Sequence, residues 1–383
     1  MEFLAGALLG MLGVLPFVHT NLILQVAKPF LAQGAGLVAF ASALSFSHLV
    51  FETLPALFLF IPTENLSASV LPFQRMALQG RGAEALNRII AATLLALCVA
   101  AAVLPLQAAA LPAIKEAVGE NLKWALLAVL ALYFTSMRKW KERLGSLAVF
   151  LLSGALGVTA FAAPWVREPL FPLLTGLFAV PAILLARGSA VKDGGAAGET
   201  RLDVRLVLAG VAVGSVSSLL PGLTVAVLLC ICLLAVKEDY GAFMSLAPSI
   251  AASKTLYDLA SPFTVGNARS MAGAIIAGAP GPEAQTLAIA SASALASAAL
   301  ASAVLLATYR KILAKTGGDY SGFKKWLLAV LALIALGLNG WQGILLMTTA
   351  ALVGALPLLL GLRRSAAVGA LVVPALAYHF GMA

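Results

Sequence analysis

Charge is scarce in this 383-residue chain. Asp, Glu, Lys and Arg make up 11% of it, against roughly 25% in soluble domains, while 61% is hydrophobic. A water-soluble fold is excluded, and an integral membrane protein is what remains. Cysteine is scarce as well. Cys98, Cys230 and Cys232 all lie in apolar runs, and residues at i and i+2 cannot face each other on a helix, so neither a disulfide framework nor a metal cage can be drawn from them. Three histidines without an HExxH spacing leave a zinc hydrolase without ligands. No Walker sequence and no GxSxG occur, which removes ATP-driven transport and serine hydrolysis, and no cofactor is expected. The period-two alternation of a membrane barrel is missing, since Ala and Leu run on for whole helical lengths. The opening MEFLAGALLGMLGVLPF has no basic segment and no small-residue cleavage site after it, and is expected to belong to the mature fold.

What is present is a series of apolar runs of about 17 to 25 residues, enough to cross a ~30 Å hydrocarbon core as helices. The expected fold class is all-α, multi-pass in the cell membrane. The net charge of +9 comes from Lys and Arg in short loops, the pattern that orients a membrane protein and not one that binds nucleic acid. The one long polar stretch, RGSAVKDGGAAGETRLDVR at 187–205, divides the chain. Pro221 stands 205 positions after Pro16, and Asp258 stands 206 after Glu52. An internal repeat is therefore expected, with 1–187 as a first membrane repeat, 188–203 as a cytoplasmic linker and 204–383 as a second repeat.

Each half is expected to hold a Pro/Gly-broken hairpin (2–33 and 204–236) and a helix carrying a buried acid (36–60 and 240–265). Four spanning helices follow, at 87–111, 121–137, 145–163 and 169–186, then at 284–309, 324–338, 341–361 and 365–381. Arg75/Arg81/Arg88, the Arg138–Arg143 loop and the linker alternate correctly to be cytoplasmic in the first half; in the second half the basic loops are those around Arg310–Lys325 and Arg363–Arg364. That count turns the second half over relative to the first, the inverted arrangement of many secondary transporters. Asn339 in LGLNGWQG reads as a turn residue, the Ala/Ser run 288–302 as a close helix contact, and Lys28 and Lys237 as snorkelling side chains.

Glu52 and Asp258 are the residues that ask for an explanation. A carboxylate inside a spanning segment costs about 2.5–3.5 kcal/mol on insertion scales and persists with a partner or a cavity. His48 precedes Glu52 by one helical turn, and Lys254, beside Ser253, precedes Asp258 by the same spacing. Each pair is either glue between helices or an ion-coupling element; recurrence at matching places favours the second. Pro16 and Pro221 break runs too short to cross twice and follow Gly10 and Gly13, or Gly210 and Gly214, which act as hinges or as flat packing faces. A half-helix starting at His19, Thr20 and Asn21, or at Thr224, would offer free N–H groups and a positive dipole end to an anion.

The chain resembles the large membrane subunit family of the tripartite tricarboxylate transporters, in its shorter, single-chain branch. The resemblance rests on LPFVHTN at 15–21, the segment from Ser47 to Leu86, LLPGLT at 219–224, TVGNARSMAGAII at 264–276 and the carboxy-terminal RRSAAVGALVVPALAYHFG. It implies an ion-coupled carrier, with carboxylates delivered by a soluble binding protein in the better known branch. On the matching positions it implies substrate contacts from Pro16, Phe17, His19, Thr20 and Asn21 and from Pro221, Gly222, Leu223 and Thr224. Two positions depart from the family pattern: Phe17 stands where Gly is found, and Glu52 where Asp is usual.

The expected function is thus a secondary transporter of an anionic substrate, a small carboxylate, held between the two hairpins and coupled to H+ or Na+ at Glu52 and Asp258. The rival reading is a translocase of a lipid phosphate such as polyprenyl phosphate. A non-transporting scaffold and an intramembrane aspartyl enzyme complete the set. The partner classes that stay open are membrane lipid, a small membrane subunit, a soluble binding protein and a second copy of the chain in a homodimer.

Overall fold

Runs of Ala and Leu without helix breakers fold as helices at every described position where they occur. The structure, a computed structural model, describes residues 1–15, 18–30, 34–58, 63, 76–77, 79–137, 139–185, 202–220, 223–225, 227–229, 232, 240–316 and 321–382. Pro16, Phe17, Pro221, Gly222, Lys237, most of the 188–203 linker and most of 59–75 lie outside the described residues.

Helix α1 (Glu2–Gly10) tightens into a 3₁₀ turn over Met11–Val14, and α2 (Thr20–Ala27) follows the break. The acid helix is α3 (Ala35–Phe51), continued after Glu52 by α4 (Thr53–Phe58). Then come α5 (Gly82–Val118), α6 (Leu122–Thr135), α7 (Trp140–Ala162), and a run made of α8 (Leu170–Leu174), a π-turn (Thr175–Ala179) and α9 (Val180–Leu185). The second half gives α10 (Val204–Ser217), α11 (Tyr240–Thr264), α12 (Met271–Ala277), α13 (Glu283–Thr316), α14 (Ser321–Leu359) and α15 (Gly369–His379). Among the described residues, five helical stretches are long and apolar enough to span a bilayer: Ala35–Phe58, Gly82–Val118, Trp140–Ala162, Glu283–Lys315 and Leu328–Leu359. The two helices expected at 324–338 and 341–361 are both inside α14, which breaks at Gly340 with φ of +63°, a conformation that costs glycine nothing. The helix expected at 365–381 opens as a 3₁₀ turn over Arg364–Val368.

The chain divides into two compact units, and each draws on both halves: Met1–Gly119 with Ala190–Leu220 and Cys232–Gly317, and Glu120–Ser189 with Pro221–Ile231 and Gly318–Ala383. In the first unit α3 is held between α1 of its own half and α13 of the other, while α11 is held between α10 of its own half and α5 of the other. The exchange of long helices is reciprocal. On their own-half side both acid helices are approached by glycines. A Cβ on Gly10 would stand 2.6 Å from the Leu44 carbonyl oxygen and 2.9 Å from the His48 nitrogen; on Gly214 it would run into Ser253 Oγ and stand 3.0 Å from the Lys254 nitrogen. Gly10 and Gly214 thus press on equivalent positions of their acid helices. The small-residue face of α13, with Ala294, Ser297, Ala298 and Ala301 buried, is the close helix contact expected there.

The second unit repeats the exchange. Glycine 157 of α7 meets the carbonyl of Ala370, and Gly354 of α14 meets that of Leu177; in the same way Gly369 meets Phe150 and Gly176 meets Met347. The loops are pinned too. Asn339 Oδ1 accepts the Glu168 N–H at 2.8 Å and its Nδ2 donates to the Glu168 carbonyl at 3.1 Å, so the turn between the two segments of α14 lies beside the loop that follows α7. Arg363 donates to Ser136 Oγ at 2.9 Å, and Tyr133 shares a 2.6 Å hydrogen bond with Ser365, so the loop after α14 lies beside the loop before α7. Asn339 is therefore more than a turn former: it is buried and bridges two loops far apart in sequence. Asn339→Ala removes both hydrogen bonds to the Glu168 peptide groups, at about 0.5–1.5 kcal/mol each; a thermal midpoint lowered by a few degrees in a detergent melt is the expected result. All five tryptophans, Trp124, Trp140, Trp165, Trp326 and Trp341, belong to this unit and are exposed. They stand near helix ends, the depth at which indole rings anchor to a bilayer surface.

Candidate functional site

Each acid sits where a proline loosens its helix. A proline removes the N–H that would bond the carbonyl four residues earlier and crowds that carbonyl. Pro55 frees Phe51 and produces the break at Glu52; Pro262, inside α11, frees the carbonyl of Asp258 itself. Ser261 Oγ donates to that carbonyl at 2.7 Å. Both acids are buried, Glu52 at 3% exposure and Asp258 at 7%, and α3 and α11 touch within the first unit.

The first pair is connected to the first hairpin. His48 Nε2 lies 2.6 Å from the carbonyl oxygen of Val18, in the break between α1 and α2. A carbonyl only accepts, so Nε2 carries the hydrogen, and Nδ1 faces Glu52 Oε2 at 4.0 Å. The pair can therefore hold a proton on Nδ1 or on the carboxylate while the other nitrogen holds the hairpin. The glycine before the break takes part: a Cβ on Gly13 would stand 2.7 Å from the His48 carbonyl oxygen. Beyond it, His19 forms the N-cap of α2, its carbonyl accepting from Leu22 and Ile23. His19 and Thr20 are half-buried and Asn21 is exposed.

The second pair is a direct ion pair between Lys254 Nζ and Asp258 Oδ2. Ser253, fully buried, donates its hydroxyl to Ser249 at 2.7 Å and lies under Gly214. Gly210 is seated on Ser249 in the same manner. In the second unit, Leu223 is buried and half-buried Thr224 accepts the Val227 N–H on Oγ1 at 3.4 Å, the bond of a helix cap.

Three side chains that the sequence did not single out complete this region. Arg269 donates Nε to the Ser218 carbonyl at 2.7 Å and a terminal nitrogen to Leu219 at 3.0 Å. It thereby caps the end of α10, and its charge interacts with that of Asp258. Gln107 of α5 donates to the Ser215 carbonyl at 3.0 Å, one turn earlier in α10. Lys115, farther along α5, donates to Val265 at 2.5 Å, placing a cation at the carbonyl end of α11 where the helix dipole favours it. In sequence these are lone polar residues near apolar ends, indistinguishable from the charges that orient loops.

Comparison with curated proteins and comparison with solved structures give no match. The sequence profile of the Tripartite tricarboxylate transporter TctA family matches residues 1–369, nearly the whole chain. Its members are transporters and not enzymes. With the family profile covering nearly the whole chain and five described helical stretches long and apolar enough to span a bilayer, this multi-pass membrane protein belongs to the TctA family of tripartite tricarboxylate transporters.

Proposed function

We propose that this chain is an ion-coupled secondary transporter of an anionic substrate, a small carboxylate, in which Glu52 and Asp258 take up and release the coupling cation. The observation that carries the reading is the bond from His48 to Val18. It joins a titratable pair in a spanning helix to the break of a hairpin, so a change of charge at Glu52 bears on the position of the hairpin. A transporter needs such a link between its ion and its substrate elements, whereas a scaffold has no use for it. Backbone N–H groups at His19–Asn21 and at Leu223–Thr224 serve as substrate contacts.

The halves act as inverted repeats in this reading. Helix α7 has 23 residues, so its two ends reach opposite faces of the bilayer. The loop before it meets the Arg363–Ser365 region and the loop after it meets Asn339. In the second half those two loops occur in the opposite order, which is what inversion of the same motif gives. The basic loops around Arg143 and Arg363, both assigned to the cytoplasm by their charge, are on one face in consequence. The tripartite family name supports a soluble binding protein and a small membrane subunit as partners.

The outer faces of both hairpin arms, with Leu4, Leu8, Leu208 and Val216 exposed, favour a second reading in which the anion is the headgroup of a lipid phosphate whose chain lies along these arms. Purified protein in liposomes, offered dicarboxylates, tricarboxylates, inorganic anions and a polyprenyl phosphate with and without imposed proton or sodium gradients, decides. Gradient-driven uptake of a soluble carboxylate is expected. Gradient-independent movement of the lipid alone would replace the first reading with the second, and inertness toward every probe would remove both.

A further inference from the structure

A charge count around the two hairpin breaks comes out unequal. At the first break, Glu52 and His48 sum to zero when the pair holds a proton and to −1 when it does not. At the second, Asp258 pairs with Lys254 and its charge also interacts with that of Arg269, so these three sum to +1. Among the described residues around the two breaks, the surplus therefore lies where Arg269 holds the end of α10. Lys115 adds a further cation, bonded to the carbonyl of Val265 at the end of α11, four residues before Arg269.

The guanidinium is also held in place for that task. Two of its five N–H donors are given to the carbonyls of Ser218 and Leu219, and its own backbone N–H donates to Ser261 Oγ at 2.9 Å. The side chain is only half-buried, and among the described residues no further acceptor is bonded to it. A planar fork fixed on one edge presents the other edge to a carboxylate or phosphate without first losing side-chain freedom. We propose that Arg269 is the anion-recognition residue of this transporter, fixed by the end of α10 so that its remaining donors and its charge receive the oxyanion of the substrate. The inference rests on the anion-transport reading and adds to it the group that selects charge.

Equilibrium binding of citrate, inorganic phosphate and a polyprenyl phosphate to purified protein tests it, using wild type, Arg269→Lys and Arg269→Gln. With wild type binding at least one probe, Arg269→Gln is expected to weaken that probe about 100-fold, the scale of a charge-assisted hydrogen bond. Arg269→Lys is expected to retain part of the affinity because the charge survives. Citrate or inorganic phosphate as the probe that responds identifies a soluble anion, and the polyprenyl ester identifies a headgroup. A residue that only clamps α10 would behave differently: lysine lacks the planar fork that spans both carbonyls, so both variants would lose thermal stability and binding alike, and equal losses overturn the proposal. Undiminished binding by a well-folded Arg269→Gln protein overturns it while leaving anion transport standing. A wild-type protein that binds none of the probes overturns both together.

Discussion

Gly214→Val leaves little or no folded protein, whereas Gly337→Ala purifies like the wild type. The first expectation follows from where the added carbon would go. A single Cβ at Gly214 already collides with Ser253 Oγ and reaches the Lys254 backbone nitrogen, and neither can retreat, because Ser253 is bonded back to Ser249 and α11 is pressed from its other side by α5. Overpacking of a fitted core costs about 1–3 kcal/mol where neighbours can yield; here the obstruction includes backbone, and valine adds two further methyls, so the cost is above that range. Marginal stability of about 5–15 kcal/mol does not absorb it together with the separated Lys254–Asp258 pair. Gly337 has no atom within 4 Å of its added Cβ, so alanine there gains roughly 0.5–1 kcal/mol of helix propensity at most. Gly10→Val should fail as Gly214→Val does, because the same contact is made on α3. Size-exclusion profiles and yields of the three variants check the whole set, and a well-folded Gly214→Val protein would show that the two helices do not meet as described.

Glu52→Gln and Asp258→Asn are expected to share one functional outcome and to differ in stability. Both remove a carboxylate to which the proposed mechanism gives the coupling cation, so the acceleration of transport by an imposed proton or sodium gradient should disappear in each. Substrate exchange without a gradient should continue. Folding responds differently because the partners differ. With Glu52 gone, His48 keeps its bond to Val18 and becomes a neutral ring, which a buried site tolerates. With Asp258 gone, Lys254 is left as a charge of 17% side-chain exposure without its carboxylate, and breaking a buried pair from one side costs about 3–5 kcal/mol. The double variant Lys254→Met with Asp258→Asn should recover much of that loss while remaining uncoupled. Gradient-driven uptake that survives in both single variants would take the two acids out of the mechanism.

Much of this architecture was legible along the chain because it is written in local rules. Helix lengths follow from apolar runs, and the landmarks that the two halves share stand about 205 residues apart. The exchange of long helices between the halves was not legible, since which apolar face meets which is decided by glycine positions on both partners at once. Arg269, Gln107 and Lys115 escaped for a related reason: each satisfies carbonyls at the end of a helix distant in sequence, and nothing local records that a helix end lacks its partners. Asn339 looked like a turn former because the residue types of turns and of loop-to-loop bridges are the same.

The crossed clamp on α3 sets a schedule for biosynthesis. One flank of the Glu52 helix is covered as soon as α1 and α3 leave the ribosome, but the other waits for α13, which begins 225 residues after α4 ends. At about 5–20 residues per second this interval is roughly 10–45 s. Throughout it a carboxylate-bearing segment sits in or beside the insertion machinery half covered, so the early segments must be sheltered from lipid and from quality control until the late ones arrive.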